Sequence, residues 1–544
     1  MSALRAVVVV PARDEAARIA ACLEALGAQE DVQPDEFAVI VVLDRCRDET
    51  GAVARAAGER IAAAVEVVAS PRAGVGPARR HGMELAFARL GADGLIACTD
   101  ADTRPAPRWL AEQLALVAAG AEAIGGLVEL DPAEAAALDP ATLARRDQRA
   151  AARLAAVRRA DPASEHPHFA GASLGVTAGA YRRAGGLEPR VALEDEAFGE
   201  RLTSAGVAIA RSRRVRVRTS ARAESRAGRG LGRDLEVGEW LARRRFEGAA
   251  YDAAALLERK GARVISVILP AKRCAATIGA VLDTAVMPFA EAGLIDEVLV
   301  VDADSPDGTA RRAAAAGAEV VSEHALAPGF GPSLGKGDAM WRGLAATRGD
   351  VLVYLDADTA NPHPSHLLGV LGPLLCVPEL QLVKGTFARP LLIGGHVAAD
   401  EGGRVTELMA RPLLNLHVPE LAGFSQPLAG EFAAHRALLE ALPFAAGYGV
   451  EIALLIDALR HAGLGALAES RIAPRHNRHQ PLRELGAMAF AVLAAVERRV
   501  RTADAAVPAG LVQPWADDAV RDVVLLERPP LAQLARNGGS SMLA

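Results

Sequence analysis

Aromatic side chains are scarce, at 4% of 544 residues, and the 51% hydrophobic fraction is carried largely by alanine. Cysteines are few. Cys22, Cys46, Cys98, Cys274 and Cys376 lie far apart and form no Cys-x-x-Cys pair. That speaks against a disulfide framework or a thiolate zinc site and fits a reducing compartment. Positive charge is not in excess. The net charge of −6 argues against a general nucleic-acid binder, which carries a basic patch. No stretch approaches the roughly 18 uncharged apolar residues of a membrane span. The opening "MSALRAVVVVPARDEAARI" meets charge too soon for a secretory leader and reads as a buried strand. The expected location is the cytoplasm.

What is present is one device installed twice. "LIACTDADTRPAP" (95–107) and "VLVYLDADTANP" (351–362) each end a strand-like run in two carboxylates one residue apart. Other landmarks repeat at nearly the same spacing. Pro11 precedes Pro270 by 259 positions, Asp44 precedes Asp302 by 258, and Gly76 precedes Gly335 by 259. Asp100 precedes Asp356 by 256, and Gly171 precedes Gly430 by 259. A near-constant offset over five landmarks is a duplication signal. Strand, loop and helix alternate throughout, which predicts α/β domains with mostly parallel sheets. At 544 residues more than one domain is expected, since single cores stop growing near 250–300 residues. The expected layout is a domain at 1–240, a linker helix region at 241–261, with a long helix from about 234 to 258 followed by Gly261, a domain at 262–528, and a frayed tail at 529–544.

The acidic pairs should lie at the carboxyl edge of the sheet, where open α/β sheets bind ligands. Two carboxylates there suit a hard divalent cation shared with substrate phosphates, which would neutralise a diphosphate leaving group. The competing reading is helix capping by Asp358 and Thr359. Asp302 and Asp304 of "VVDADSPDGT" form a third such pair, but they follow the second strand of their half, where an acid contacts ribose or base. The run 211–233 holds nine arginines. It reads as a solvated strand and loop, or as a few arginines binding a phosphorylated acceptor.

"VPARDEAARI", "TDADT", "FAGASLGVTAGAYRRAGGLEP" and "ALEDEAF" resemble family 2 glycosyltransferases of the GT-A fold over about 1–235. The resemblance implies Pro11, Glu15, Asp44 and Asp100 at the nucleotide sugar, Asp102 at a metal, and Asp195, beside Glu194, as the catalytic base. "GKGDAMWRGL", "GGRVTELMARPLL", "QPLAGEF", "PFAAGYGVEIALLIDAL" and "QPLRELGAM" resemble the glucosyl-3-phosphoglycerate synthases over about 263–500. That resemblance implies two tandem GT-A domains, the second moving glucose from UDP-glucose to 3-phosphoglycerate with retention and Mg²⁺ or Mn²⁺. It implies Pro270, Ala271, Ser305, Lys336 and Asp356 at the nucleotide sugar, and Asp358 at the metal. It also implies Gly403, Arg404, Thr406, Tyr448 and Arg475 at the acceptor, and Glu451 at the catalytic centre. A glycine pair exposing backbone N–H groups, with a bidentate arginine, suits a small trianion. The expected partners are the two substrates, with no nucleic acid and no transmembrane segment; a homodimer is one option, and the oligomeric state stays open.

Two departures stand out. The opening loop "PAKRCA" has Arg273 and Cys274 where the family has Asn and Glu, while the first half keeps Glu15. In "PRHNRHQPL" a gapless match puts Asn477 at the metal histidine position, with His476 favoured over His479 as the replacement. A zinc site on His476 and His479 lacks a third ligand. Rival functions are mannosyl transfer from GDP-mannose, a nucleotidyltransferase, and a first half that only docks. A glycine-rich loop after the first strand would mark a nucleotidyltransferase, and neither half has one.

Overall fold

The valine-rich runs at 6–12 and 37–43 form buried strands, because β-branched side chains fit a pleated surface covered on both faces. The computed structural model describes residues 4–190, 192–223, 229–393, 396–398, 402–476, 481–501, 510–512 and 520–536. It consists of two units, Met1–Ala242 and Arg243–Ala544, each with its own eight-stranded sheet. No helix among the described residues is long and apolar enough to cross a membrane.

The first sheet comprises β1 (Ala6–Ala12), β2 (Phe37–Leu43), β3 (Ala64–Ala69), β4 (Leu95–Cys98), β5 (Thr103–Pro105), β6 (Ala123–Leu130), β7 (Leu174–Thr177) and β8 (Ile209–Thr219). Its order is β3-β2-β1-β4-β7-β6-β8-β5. Only β7 and the edge strand β5 run antiparallel to their neighbours.

The second unit begins with β9 (Arg245–Glu247), β10 (Ile265–Ala271), β11 (Glu297–Asp302), β12 (Glu319–Ser322), β13 (Val351–Tyr354) and β14 (Leu382–Thr386). A hairpin of β15 (Leu391–Ile393) and β16 (His396–Ala398) follows, then β17 (Phe432–His435), β18 (Phe444–Ala445) and β19 (Leu467–Arg471). Its sheet order is β12-β11-β10-β13-β17-β14-β19-β9. Seven strands match the first sheet place for place, and β17, like β7, is antiparallel.

The likeness extends to single residues. Asp14 and Arg273 both take positive φ, at 52° and 56°, and so do Arg45 and Asp304, both at 49°. Glu15 N donates to Thr50 Oγ1 at 2.7 Å, and Cys274 N donates to Thr309 Oγ1 at 2.9 Å. Ala16 N donates to Asp48 and Ala275 N to Asp307, both at 3.1 Å. The same turn therefore follows the first strand of each unit, built by the same side chains.

One landmark shifts. A Cβ on Gly76 would sit 2.0 Å from Arg190 O, and one on Gly337 1.9 Å from Ala445 O. A Cβ on Gly82 would sit 2.4 Å from Val9, and one on Gly343 2.7 Å from Ile268. The structural counterpart of Gly76 is thus Gly337. Gly335 matches Gly74, both preceding a helix at φ 130° and 112°.

The stretch expected as one long linker helix is two helices, Leu231–Arg243 and Ala253–Lys260, with β9 between them. β9 pairs in parallel with β19, and Leu256 is buried in the second unit's core. The region 241–261 is therefore largely built into the second unit. The tail is also ordered further than expected. Trp341 Nε1 donates to Pro529 O at 2.9 Å, and Leu531–Arg536 is a helix with Leu531 buried. Residues 537–544 lie outside the described ones.

Candidate active site

In the second unit, β13 delivers Asp356 two residues past its end, at the carboxyl edge of the sheet. Helix Lys336–Ala346 starts beside it. Lys336 Nζ lies 2.6 Å from Asp356 Oδ1 and 2.7 Å from Glu451 Oε1. Glu451 sits in the first turn of helix Val450–Ala462 and is buried. Burial opposes ionisation of Asp356, but Lys336 and Arg475 outweigh it and hold the carboxyl well below its usual range. Burial likewise opposes the Lys336 ammonium, and Asp356 and Glu451 push its pKa up instead.

Arg475, 3% exposed, follows the end of β19. It reaches Asp356 at 2.8 Å, Asp358 at 3.1 Å and the buried Glu431, and it stacks on Phe387 at 5.2 Å. Burial raises the Glu431 carboxyl against the pull of Arg475. Its Oε2 is buried with no hydrogen-bond partner among the described residues. The Asp358 side chain is 60% exposed. Helix Ser365–Cys376 begins well beyond Asp358 and Thr359, with Pro364 at its N-cap, so neither residue is the N-cap of that helix. Asp302 and Asp304 face apart. Asp302 is buried and accepts Ser305 N at 2.9 Å, while Asp304 is exposed and pairs with His324 at 2.9 Å. Ser305 Oγ accepts Arg273 N at 2.8 Å, beside the end of β10 where Pro270 and Ala271 lie.

The acceptor block approaches through Arg389. Arg475 N donates to Ala388 O at 3.2 Å, and Gly402 N donates to Arg389 O at 2.8 Å. Gly403 and Arg404 follow, and Thr406 is buried. Tyr448 is exposed, just ahead of the helix carrying Glu451. His476 has its backbone N–H on Asn361 Oδ1 at 2.7 Å. Asn477 and His479 lie outside the described residues.

The first unit assembles the same kind of trio from other positions. Arg79, 2% exposed, donates to Asp100 at 2.9 Å, Glu194 at 3.0 Å and Gly171 O at 3.0 Å. Glu194 stands in the first turn of helix Glu194–Ser204, as Glu451 does in its helix. Its neighbour Asp195 accepts the backbone N–H groups of Gly171 at 2.8 Å and Glu196 at 2.9 Å. Arg222, just past β8, bonds Asp102 at 2.9 Å and both oxygens of Glu15. Burial, with Asp100 nearby, pushes the Asp102 carboxyl up to about 6. Asp44 Oδ2 accepts Gly74 N at 3.0 Å. Pro11 lies near the end of β1.

Arg79, Arg222, Glu431 and Asn361 are site residues that sequence reasoning did not name. Arg222 was hidden in its arginine run. Toward the end of β8 the run alternates, with Val215 and Val217 buried and Arg214, Arg216 and Arg218 facing solvent, and Arg222 turns inward just beyond the strand end. Its available signal was the shared place with Arg475, just past the strand next to the sheet edge.

The sequence model of glycosyl transferase family 2 matches twice, at residues 7–137 and 266–375, once in each unit. The chain is 45% identical over 317 residues to glucosyl-3-phosphoglycerate synthase of Mycolicibacterium paratuberculosis, spanning 56% of this chain and 95% of that one. A solved mannosyl-3-phosphoglycerate synthase from Rubrobacter xylanophilus is 42% identical over 54% of this chain and 99% of its own, with a TM-score of 0.49. Glucosyl-3-phosphoglycerate synthase from Mycobacterium tuberculosis, solved with Mn²⁺, UDP-glucose and phosphoglyceric acid, is 43% identical over 52% of this chain and 95% of its own, with a TM-score of 0.47. The chain belongs to the glucosyl-3-phosphoglycerate synthase family of glycosyltransferases.

Proposed function

We propose that the second unit transfers glucose from UDP-glucose to 3-phosphoglycerate with retention, using Mg²⁺ or Mn²⁺. The observation that carries this is Lys336 held between Asp356 and Glu451 at the sheet edge, in a chain 45% identical to a synthase of that name over 95% of its length. The residues fit a hard divalent cation: Asp358 offers exposed oxygen donors beside Asp356, and His476 follows Arg475 in the adjoining segment. Bound there, the ion would neutralise the charge growing on the departing diphosphate. Lys336 is poised to meet the same diphosphate. Arg404 and Arg475 would supply guanidinium forks for the acceptor's phosphate and carboxylate, Arg475 on leaving part of its present pairing with Asp356 and Asp358. Glu451, fixed by Lys336, lies deep enough to orient the transferred sugar.

The test is a donor and acceptor screen on the full chain. UDP-glucose with 3-phosphoglycerate is the pair expected to react. Asp358→Ala is expected to lower turnover at least ~100-fold, a loss of several kcal/mol of barrier stabilisation, with an unchanged melting temperature. Near-normal turnover would sink the metal assignment, and a preference for GDP-mannose would move the reading to mannosyl transfer.

For the first unit we infer a second sugar-transfer site, since Arg79, Asp100 and Glu194 repeat the cation and two acids of Lys336, Asp356 and Glu451. Asp195→Asn is expected to leave phosphoglycerate transfer intact. A first unit that binds no nucleotide sugar would instead be a docking module.

A further inference from the structure

We propose that Asn361 is a positioning residue of the second unit, whose side-chain amide sets the segment carrying Arg475 and His476 against Asp358. The inference rests on the sugar-transfer reading above. Asn361 Nδ2 donates to Pro474 O at 2.7 Å, and Asn361 Oδ1 accepts His476 N at 2.7 Å. One amide therefore holds the backbone on both sides of Arg475. The seam continues in both directions. Ala360 N donates to His476 O at 3.1 Å. Ser365 Oγ accepts Ala473 N at 3.0 Å, and His366 Nε2 lies 3.2 Å from Ala473 O.

The first unit shows what this seam replaces. There the chain after Asp102 forms β5, which pairs with β8 in the register Thr103↔Thr219, and Ser220 N donates to Asp102 O at 3.2 Å. Backbone pairing thus ties the acidic loop to the segment leading to Arg222. In the second unit the same stretch reads Thr-Ala-Asn-Pro-His-Pro. No strand forms there, and Asn361 stands where β5 ends in Pro105. The Asn361 amide carries one donor group and one acceptor, as a backbone peptide does, and takes the missing strand's place. Its loss would free the segment that holds the Arg475 guanidinium on Asp358 and Asp356.

The test uses the full chain in an Asp102→Asn background, so that Mn²⁺ binding reports the second unit. Mn²⁺ affinity is read by electron paramagnetic resonance without substrates. Asn361→Ala is expected to weaken Mn²⁺ binding by about 10–100-fold, the usual cost of losing an outer-shell partner. It should raise KM for 3-phosphoglycerate more than it lowers kcat. Asn361→Gln keeps both amide groups but displaces them by one methylene, so it should show the same effects in smaller measure with the fold intact. Mn²⁺ affinity within twofold of the parent in both variants would overturn the inference. Asp358→Asn is the separate control: if it leaves Mn²⁺ binding unchanged, the metal reading itself fails, and this inference with it.

Discussion

Lys384 is buried at 2% exposure and donates to a neutral acceptor, Ala429 O, at 2.7 Å. The Phe432 ring lies 5.5 Å away. Burial lowers the ammonium pKa to about 8, outweighing the pull of Glu451. The unfolded chain therefore holds this proton more tightly than the folded one between about pH 8 and 10.5. Stability from this group rises with pH across that window and is at its lowest below pH 8. Lys384→Met is expected to flatten that rise, measured as the difference in melting temperature between pH 8 and pH 10 relative to wild type. An unchanged difference would show that the ammonium is better solvated than its burial suggests.

Among the elements, the helix starting at Lys336 is placed by small residues. Gly337 lets the helix approach Ala445 O, and Gly343 lets it lie on Ile268 of β10. Gly337→Ala would force the backbone apart, and overpacking of this kind costs about 1–3 kcal/mol. It is expected to lower the second unit's melting temperature and, by shifting Lys336, to raise KM for UDP-glucose; an unaltered KM would mean that the helix start can yield without moving Lys336. The central strands and the acidic pairs were legible in the sequence, because apolar runs and strand-end carboxylates are local signals, whereas the glycine landmark at the Lys336 helix fell on Gly335 instead of Gly337. The Asn361 seam was not legible, since its partners lie more than a hundred positions away. The 234–258 stretch was misread for a related reason. Its helical pattern is real on both sides, but Arg245 pairs with Glu469 at 2.6 Å on a distant strand, and that tertiary pairing overrides the local period.

At the scale of the whole molecule, the boundary at 242 and 243 sets where the chain can be cut. A fragment 262–544 lacks β9, Tyr251 against Gly372 and Leu256 in the core. Fragment 243–544 is expected to fold and keep phosphoglycerate transfer, whereas 262–544 is expected to aggregate or melt far lower; calorimetry and activity on both decide it. Equal behaviour would show that the edge strand is dispensable. The duplication has a further consequence in how charge is distributed. Arg222 meets its buried glutamate in the opening loop, as Glu15, while Arg475 meets its own beside β17, as Glu431. The counterpart of Glu15 is Cys274, whose thiol is pushed up to about 11 by burial, with Asp358 and Asp356 adding to it. The counterpart of Glu431 is Ala172. One negative charge has changed address while its arginine stayed in place. Cys274→Glu alone would crowd a further anion around Arg475 and should destabilise the second unit. Adding Glu431→Ala recreates the first unit's arrangement and should recover part of that loss, so a double-mutant cycle should show favourable coupling, and strict additivity would deny the exchange. Loops can then be traded between the two copies only in matched pairs, as a lock is rekeyed together with its key.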